Sequence, residues 1–239
     1  MSKDLKTRRS VLTQTSAIAL GLGAAAALRS RSQMASANSP IPPTPEQTSG
    51  PFYPVEDQLD KDADMTRIKG NTESAKGFEF QLVGQLLSAS TGLPIAGALI
   101  EFWQACTSGR YNHPDDTNPA ELDPNFQYWA QVQTGEQGEF SIRTIIPGAY
   151  PAAPDWTRPP HIHVRVEKVG YRSLTTQVYF EQMGGNSEDK ILQALKPEDQ
   201  DRVMLKSWYY RKTAPWIVAL VPQSEMNGSL SLAPTPEIP

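Results

Sequence analysis

The chain has 239 residues, 38% of them hydrophobic, enough for one well-packed core with long arms. Its net charge of −4, with no basic stripe once the N-terminus is set aside, excludes the electrostatic footprint of a nucleic-acid-binding protein. Cys106 is the only cysteine, which excludes an intrachain disulfide and leaves the core, a metal or partner subunits to hold the fold.

The first segment reads as an address rather than structure. Arg8 and Arg9 precede an apolar run from Val11 to Leu28, and Ala35-Ser36-Ala37 supplies a small-residue cleavage site. The layout is that of a signal peptide over residues 1–37, and the adjacent arginines point to the twin-arginine export route. An uncleaved membrane anchor is the alternative; Thr, Ser and several Gly inside the apolar run count against it. The expected mature chain is exported, with no stable membrane insertion.

Residues 38–78 are predicted to be a Pro-rich arm and loop. The arm ends in Thr48-Ser49-Gly50-Pro51-Phe52-Tyr53-Pro54, unusually aromatic for a linker. From residue 79 onward short strands alternate with turns. They are expected at Phe80–Leu87, Ala98–Trp103, Tyr128–Thr134, Glu139–Ile145, His161–Val166 and Ser173–Phe180. Strands of this length and spacing predict an all-β fold, a β-sandwich with long loops. One minor helix is expected at Ser187–Leu195, ended by Lys196-Pro197, and the tail from Gln223 should be irregular.

The chemistry-bearing residues are few. Of three histidines, His161 and His163 stand two apart in a strand-like run, so both imidazoles share one face, with Cα atoms about 6.6 Å apart. That spacing lets two ring nitrogens meet one metal, while Ile162, Val164 and Val166 turn to the core. Alone, the pair reads equally as two polar residues on a solvated face. Arg158 stands three residues earlier, where it can neutralise anionic substrate oxygens; a surface ion pair is the commoner fate of an arginine. Tyr111 and Tyr150 each stand in a Gly/Pro-rich turn that can aim a phenol. Phenolates suit Fe(III), although an apolar ring with a wet hydroxyl is a tyrosine's usual state.

Taken in order, four segments form a pattern. They are Trp103-Gln104-Ala105 with Gly109-Arg110-Tyr111-Asn112-His113-Pro114; Gly138-Glu139-Phe140 with Thr144-Ile145 and Pro147-Gly148-Ala149-Tyr150-Pro151; Arg158-Pro159-Pro160-His161-Ile162-His163; and Thr176-Gln177-Val178-Tyr179-Phe180-Glu181. With the earlier Thr48–Pro54 segment, they resemble the intradiol ring-cleavage dioxygenases over roughly residues 48–181. The resemblance implies one Fe(III) per chain held by Tyr111, Tyr150, His161 and His163, with Tyr150 displaced as substrate chelates. It implies catalytic roles for Arg158 and Gln177 near the reacting carbons, and a pocket-lining role for Tyr53. The implied partners are a catechol-type small molecule and O2, the implied product a muconate-type diacid, and a homo-oligomer stays open. Protocatechuate 3,4-dioxygenases carry a Trp just after the second tyrosine-proline, where this chain has Ala152-Ala153, so the pocket wall differs there. Residues 38–78 are too short and proline-rich for the helical dimerisation region of the catechol-type branch.

Two other classes compete. One is an exported β-sandwich binding module without a metal. The other is a divalent-metal enzyme built on His113, His161 and His163, with Asp115 or Asp116 beside His113, or on a cupin-like set ending in Glu167.

Overall fold

The computed structural model describes residues 39–58, 60–181, 183–206 and 212–225. The expected signal segment and most of the tail expected to be irregular lie outside the described residues; Gln223–Glu225, the described part of that tail, form a 3-10 turn. Ten strands are described. β1 (Glu79–Ser88), β4 (Glu139–Ile145) and β10 (Thr213–Leu220) form a three-stranded sheet in the order β10-β1-β4. β2 (Leu99–Trp103), β3 (Trp129–Gln133), β7 (His161–Glu167), β8 (Leu174–Phe180) and β9 (Met204–Leu205) form a five-stranded sheet in the order β3-β2-β7-β8-β9. β5 (Tyr150–Ala153) and β6 (Trp156–Arg158) make a separate ribbon.

The two larger sheets pack face to face, as the all-β sandwich expectation requires. Leu82, Leu86, Phe140, Ile142 and Val218 come from one sheet, and Ile100, Phe102, Ile162, Val164, Val166 and Val178 from the other, all in one buried cluster. Aromatic pairs bridge the layers: Phe80 meets Phe180 at 5.6 Å and Phe102 meets Phe140 at 6.0 Å between ring centres. Gly84, in mid-strand opposite Phe140, makes room for that ring: a Cβ there would lie 2.1 Å from Phe140 Cζ.

The arm is not an independent element. Gln47 donates its N–H to Thr175 O, and its side-chain Oε1 accepts the N–H of Gln177. Thr44 N–H donates to Ala219 O, and Thr176 Oγ1 donates to Pro45 O. The arm therefore runs along the stretch of β8 that β9 leaves uncovered, satisfying backbone groups of a strand edge.

Two sequence expectations change, and β10 is added to the strands expected. Pro197 does not end a helix: it opens one. The expected Ser187–Leu195 helix is a 3-10 turn at Asn186–Glu188 and a short α1 (Lys190–Gln193), followed by α2 (Pro197–Arg202) with Pro197 in its first turn, where the missing N–H costs nothing. Tyr150 begins strand β5, paired with Arg158, rather than standing in a turn. β10 was hidden by Pro215; the strand lies at the edge of its sheet, the place where a proline is tolerated.

Candidate functional site

The register of the five-stranded sheet assembles the site. His163 pairs with Trp103 on β2 and Gln177 on β8, and His161 pairs with Tyr179. Paired residues share a face, so these five side chains gather on the face turned away from the sandwich core. Both histidines are nonetheless buried, His161 at 2% and His163 at 1% exposure, because loops and the arm cover them. Trp103 stacks on His163 with ring centres 4.9 Å apart and planes 10° apart. Gly50 of the arm (φ +64°) closes over the other side: a Cβ there would meet His163 Cε1 at 3.2 Å.

Two glycines explain how the tyrosines arrive. A Cβ on Gly109 would lie 2.3 Å from Ala149 O, and one on Gly148 would lie 2.4 Å from Gly109 N. The two loops thus pack backbone against backbone, with Gly148 N–H donating to Cys106 O at 3.0 Å. This close approach sets Tyr111 and Tyr150 with ring centres 5.5 Å apart, edge to face. Tyr111 is fixed further by its backbone N–H, which donates to Asp116 Oδ2 at 2.6 Å. Its hydroxyl lies 3.4 Å from His161 Nε2, and the Tyr150 ring is 5.7 Å from that of His161. The structure therefore brings Tyr111, Tyr150, His161 and His163 into one buried cluster.

Arg158 is buried at 2% exposure and held on several sides. Nε and Nη2 donate to the two oxygens of Asp189, each at 3.0 Å, and Nη2 also reaches Gln177 Oε1 (2.8 Å) and Tyr179 Oη (3.1 Å). Nη1 faces His161 Nε2 at 3.0 Å. Gln177 donates Nε2 to Thr48 O, so its amide links the arm to the guanidinium. Tyr53 turns its hydroxyl to Glu101 at 3.1–3.2 Å, with its ring edge-on to Trp103. Phe52 is the arm ring nearest the phenols, 4.9 Å from Tyr111 and 6.0 Å from Tyr150.

Sequence reasoning missed Phe52, Asp189, Tyr179 and Glu101. Phe52 adjoined a residue that was singled out, and Asp189 stood two positions before the apolar Ile191-Leu192, as an N-cap would. Tyr179 stood inside the Thr176–Glu181 motif without being singled out, and nothing in the sequence marked Glu101.

The donor set fits a hard metal ion. His161 Nδ1 donates to Pro159 O at 2.7 Å, which fixes the tautomer and leaves Nε2 as a lone pair inside the cluster. Among the described residues nothing hydrogen-bonds to the buried His163 Nδ1. Burial, then the charge of Arg158, hold both imidazoles well below their usual pKa and so neutral, the form that ligates. Burial first pushes both phenols up; at Tyr111 the neighbouring Tyr150 adds to the rise, and at Tyr150 the charge and hydrogen bond of Arg158 offset part of it. Two phenolates in such a place need a cation to offset desolvation, and a trivalent one does so best.

The competing metal sets do not assemble. Among the described residues no three His, Cys, Asp or Glu side chains gather at one point, so His113 does not join His161 and His163, and neither Glu167 nor an aspartate completes a set. His113 instead accepts Asp115 N–H at Nδ1 and packs against Phe52. No helix among the described residues is long and apolar enough to cross a membrane.

Comparison with known proteins bears on the same residues. The family model described as "Dioxygenase" matches residues 48–207. The protocatechuate 3,4-dioxygenase beta chain of Burkholderia cepacia is 35% identical over 158 residues, covering 64% of this chain and 66% of that one. Catechol 1,2-dioxygenase 2 of Acinetobacter lwoffii is 31% identical over 155 residues, 56% of this chain and 50% of that one. The chain thus spans about half to two thirds of the length of these curated relatives. Among solved structures, the dioxygenase domain of a carbohydrate-binding fusion from Streptomyces sp. SirexAA-E superposes with a TM-score of 0.54 at 27% identity, covering 75% of this chain and 97% of that one. An intradiol ring-cleavage dioxygenase from Tetranychus urticae shares the fold, with a TM-score of 0.60 at 20% identity and coverage of 77% and 96%.

Proposed function

Because the chain belongs to the intradiol ring-cleavage dioxygenase family, we propose that it is an iron(III) enzyme that opens a catechol-type ring with O2 between the two hydroxylated carbons, releasing a muconate-type diacid. The observation that carries this reading is the burial of two phenols and two neutral imidazoles in one cluster beside a buried guanidinium.

Tyr111, Tyr150, His161 and His163 would hold the ion, one per chain. Bound Fe(III) would supply a Lewis acid that chelates both catechol oxygens and draws electron density from the ring. The chain's own groups do the rest. A catechol must lose two protons to chelate, and Tyr150 Oη is the phenol oxygen suited to take one. Tyr150 starts a two-stranded ribbon of four and three residues, whereas the backbone N–H of Tyr111 is held by Asp116 Oδ2. Arg158 Nη1 supplies positive charge where the ring becomes electron-rich, and it is in place before reaction begins. Phe52, Trp103 and the arm exclude water from the cluster, which strengthens that charge.

The test is direct. Purified protein should be red-brown with about one iron per chain, as a closed set of two phenolates and two imidazoles implies. It should consume O2 with at least one of catechol, protocatechuate and hydroxyquinol. Zinc in place of iron, or a colourless protein that is active, would sink the reading.

We infer in the same way that the protein is exported by the twin-arginine route, on the strength of Arg8-Arg9 and the Ala35-Ser36-Ala37 site. Replacing both arginines by lysine should stop export, since that route reads the pair rather than its charge; normal export of the double-lysine form would point to another route.

A further inference from the structure

Arg158 and Asp189 form the most deeply buried ion pair described, with side chains 2% and 0% exposed. The pair is unusual in where its halves originate. Arg158 ends the ribbon beside the cluster, while Asp189 comes from the loop after β8, which packs on Pro159 through Gly185: a Cβ on that glycine would lie 3.5 Å from Pro159 Cβ. Asp189 is also the N-cap of α1, and its Oδ2 accepts Leu192 N–H at 3.1 Å as well as Arg158 Nη2. One carboxylate therefore anchors a helix and a guanidinium together.

The donors of Arg158 can be assigned one by one. Nε–H and one Nη2–H go to Asp189, and the other Nη2–H goes to Gln177 Oε1 and Tyr179 Oη. Only Nη1 is left to face the cluster. A guanidinium stays protonated, so without Asp189 it would be a buried, unpaired charge with a long, flexible stem. Gln177 and Tyr179 are neutral and cannot replace the carboxylate. The fork geometry also fixes the plane of the guanidinium, which a single acceptor does not.

We propose that Asp189 is the positioning residue of the reaction, holding Arg158 so that Nη1 alone points at the reacting ring. The proposal rests on the functional reading above. Asp189 touches neither the ligands nor a substrate; it acts through Arg158. In Asp189→Asn one acceptor oxygen becomes an NH2 donor. Whichever way that amide turns, a donor faces an Arg158 N–H, in one orientation together with the Leu192 N–H, and the fork is broken.

The experiment is a double-mutant cycle on iron-loaded protein: wild type, Asp189→Asn, Arg158→Ala and the pair. Asp189→Asn should keep its iron and visible band, bind catechol anaerobically within about 3-fold of wild type, and lose about 10–100-fold in kcat. The double variant should turn over no more slowly than Arg158→Ala alone, because with the guanidinium gone Asp189 has nothing to position. Losses that multiply, a wild-type kcat in Asp189→Asn, or loss of iron would each overturn the proposal. Should Asp189→Asn not accumulate as folded protein, Asp189→Glu keeps the charge one methylene out of place and the same cycle applies. A wild-type protein that holds iron but cleaves no catechol would overturn the functional reading and not the pairing. Melting temperatures of the same four proteins read the pairing independently: a double variant at least as stable as Arg158→Ala supports it, since an unpaired buried carboxylate has been removed, and additive losses overturn it.

Discussion

The first half of strand β7 has two buried faces that are chemically opposite. Ile162, Val164 and Val166 are fully enclosed by the facing sheet, and His161 and His163 are almost as enclosed by loops and the arm. On the inner face burial is its own reward: apolar area leaves water, and no partner has to be chosen. On the outer face each buried polar atom must be matched, by a neighbour in sequence in one case, Pro159 O for His161 Nδ1, and otherwise by residues far apart, Asp189 for Arg158 and Thr48 O for Gln177. His163 Nδ1 has no partner among the described residues. A face that is buried, polar and partly unmatched suits the ligand-holding role proposed for it better than a purely stabilising one.

The sharpest way to break this contrast is to damage each face separately. Ile162→Ala should lower stability by about 2–5 kcal/mol, the usual cost of emptying a packed aliphatic site, with the visible band unchanged in whatever protein remains folded. Denaturant melts and absorption spectra on the same samples check both halves. A bleached band with normal stability would mean that the inner face tunes the site directly. Tyr111→Phe is the mirror experiment. It removes one hydroxyl and no packing, so the melt should move little while the visible band shifts or disappears; an unchanged spectrum would show that Tyr111 is not a ligand.

Next in size is Arg158→Ala, which should keep iron and colour yet lose on the order of 10²-fold in turnover, the magnitude expected for removing one preorganised electrostatic donor. Arg158→Lys should recover only part of it, since an ammonium cannot fill both oxygens of Asp189 and still face His161. Steady-state O2 uptake decides. Loss of iron from Arg158→Ala would make the residue a support of the site and not a catalytic group.

The inner face was the legible one. Alternation in Glu139–Ile145 and His161–Val166 follows from period-two geometry, and it placed strands and their core sides with little error. The four clustered residues were readable as well, but only through motifs; spacing could suggest the two histidines and no more. What could not be read is the pairing across long gaps. Asp189 is 31 positions from Arg158, and Glu101 is 48 from Tyr53. Local pattern carries no information on such partners, because register and loop packing bring them together. β10 was missed for a related reason: Pro215 argues against a strand until the strand is known to lie at an edge.

The smallest expected effect settles what Tyr53 does. Its hydroxyl donates to Glu101, a carboxylate only 5% exposed that also accepts Gln131 Nε2 at 2.8 Å. Burial first, and then Glu101, raise the phenol above its ordinary pKa, so it stays a donor through neutral pH. Its ring stands edge-on to Trp103, which in turn stacks on His163. Tyr53 is therefore an anchor for the arm, one ring removed from the cluster, while Phe52 is the arm residue against the phenols. Tyr53→Phe keeps the ring contact and removes one hydrogen bond to a charged acceptor, which is worth about 1–2 kcal/mol at a partly exposed position. Glu101 keeps Gln131, so no buried carboxylate is stranded. Stability should fall by that amount, and KM for a catechol should stay within about 3-fold, because uniform substrate binding has not been touched. Phe52→Ala, by contrast, opens the space beside Tyr111 and Tyr150 and should raise KM. If Tyr53→Phe raises KM and Phe52→Ala does not, the substrate meets the hydroxyl of Tyr53, and the roles of the two adjacent rings are reversed.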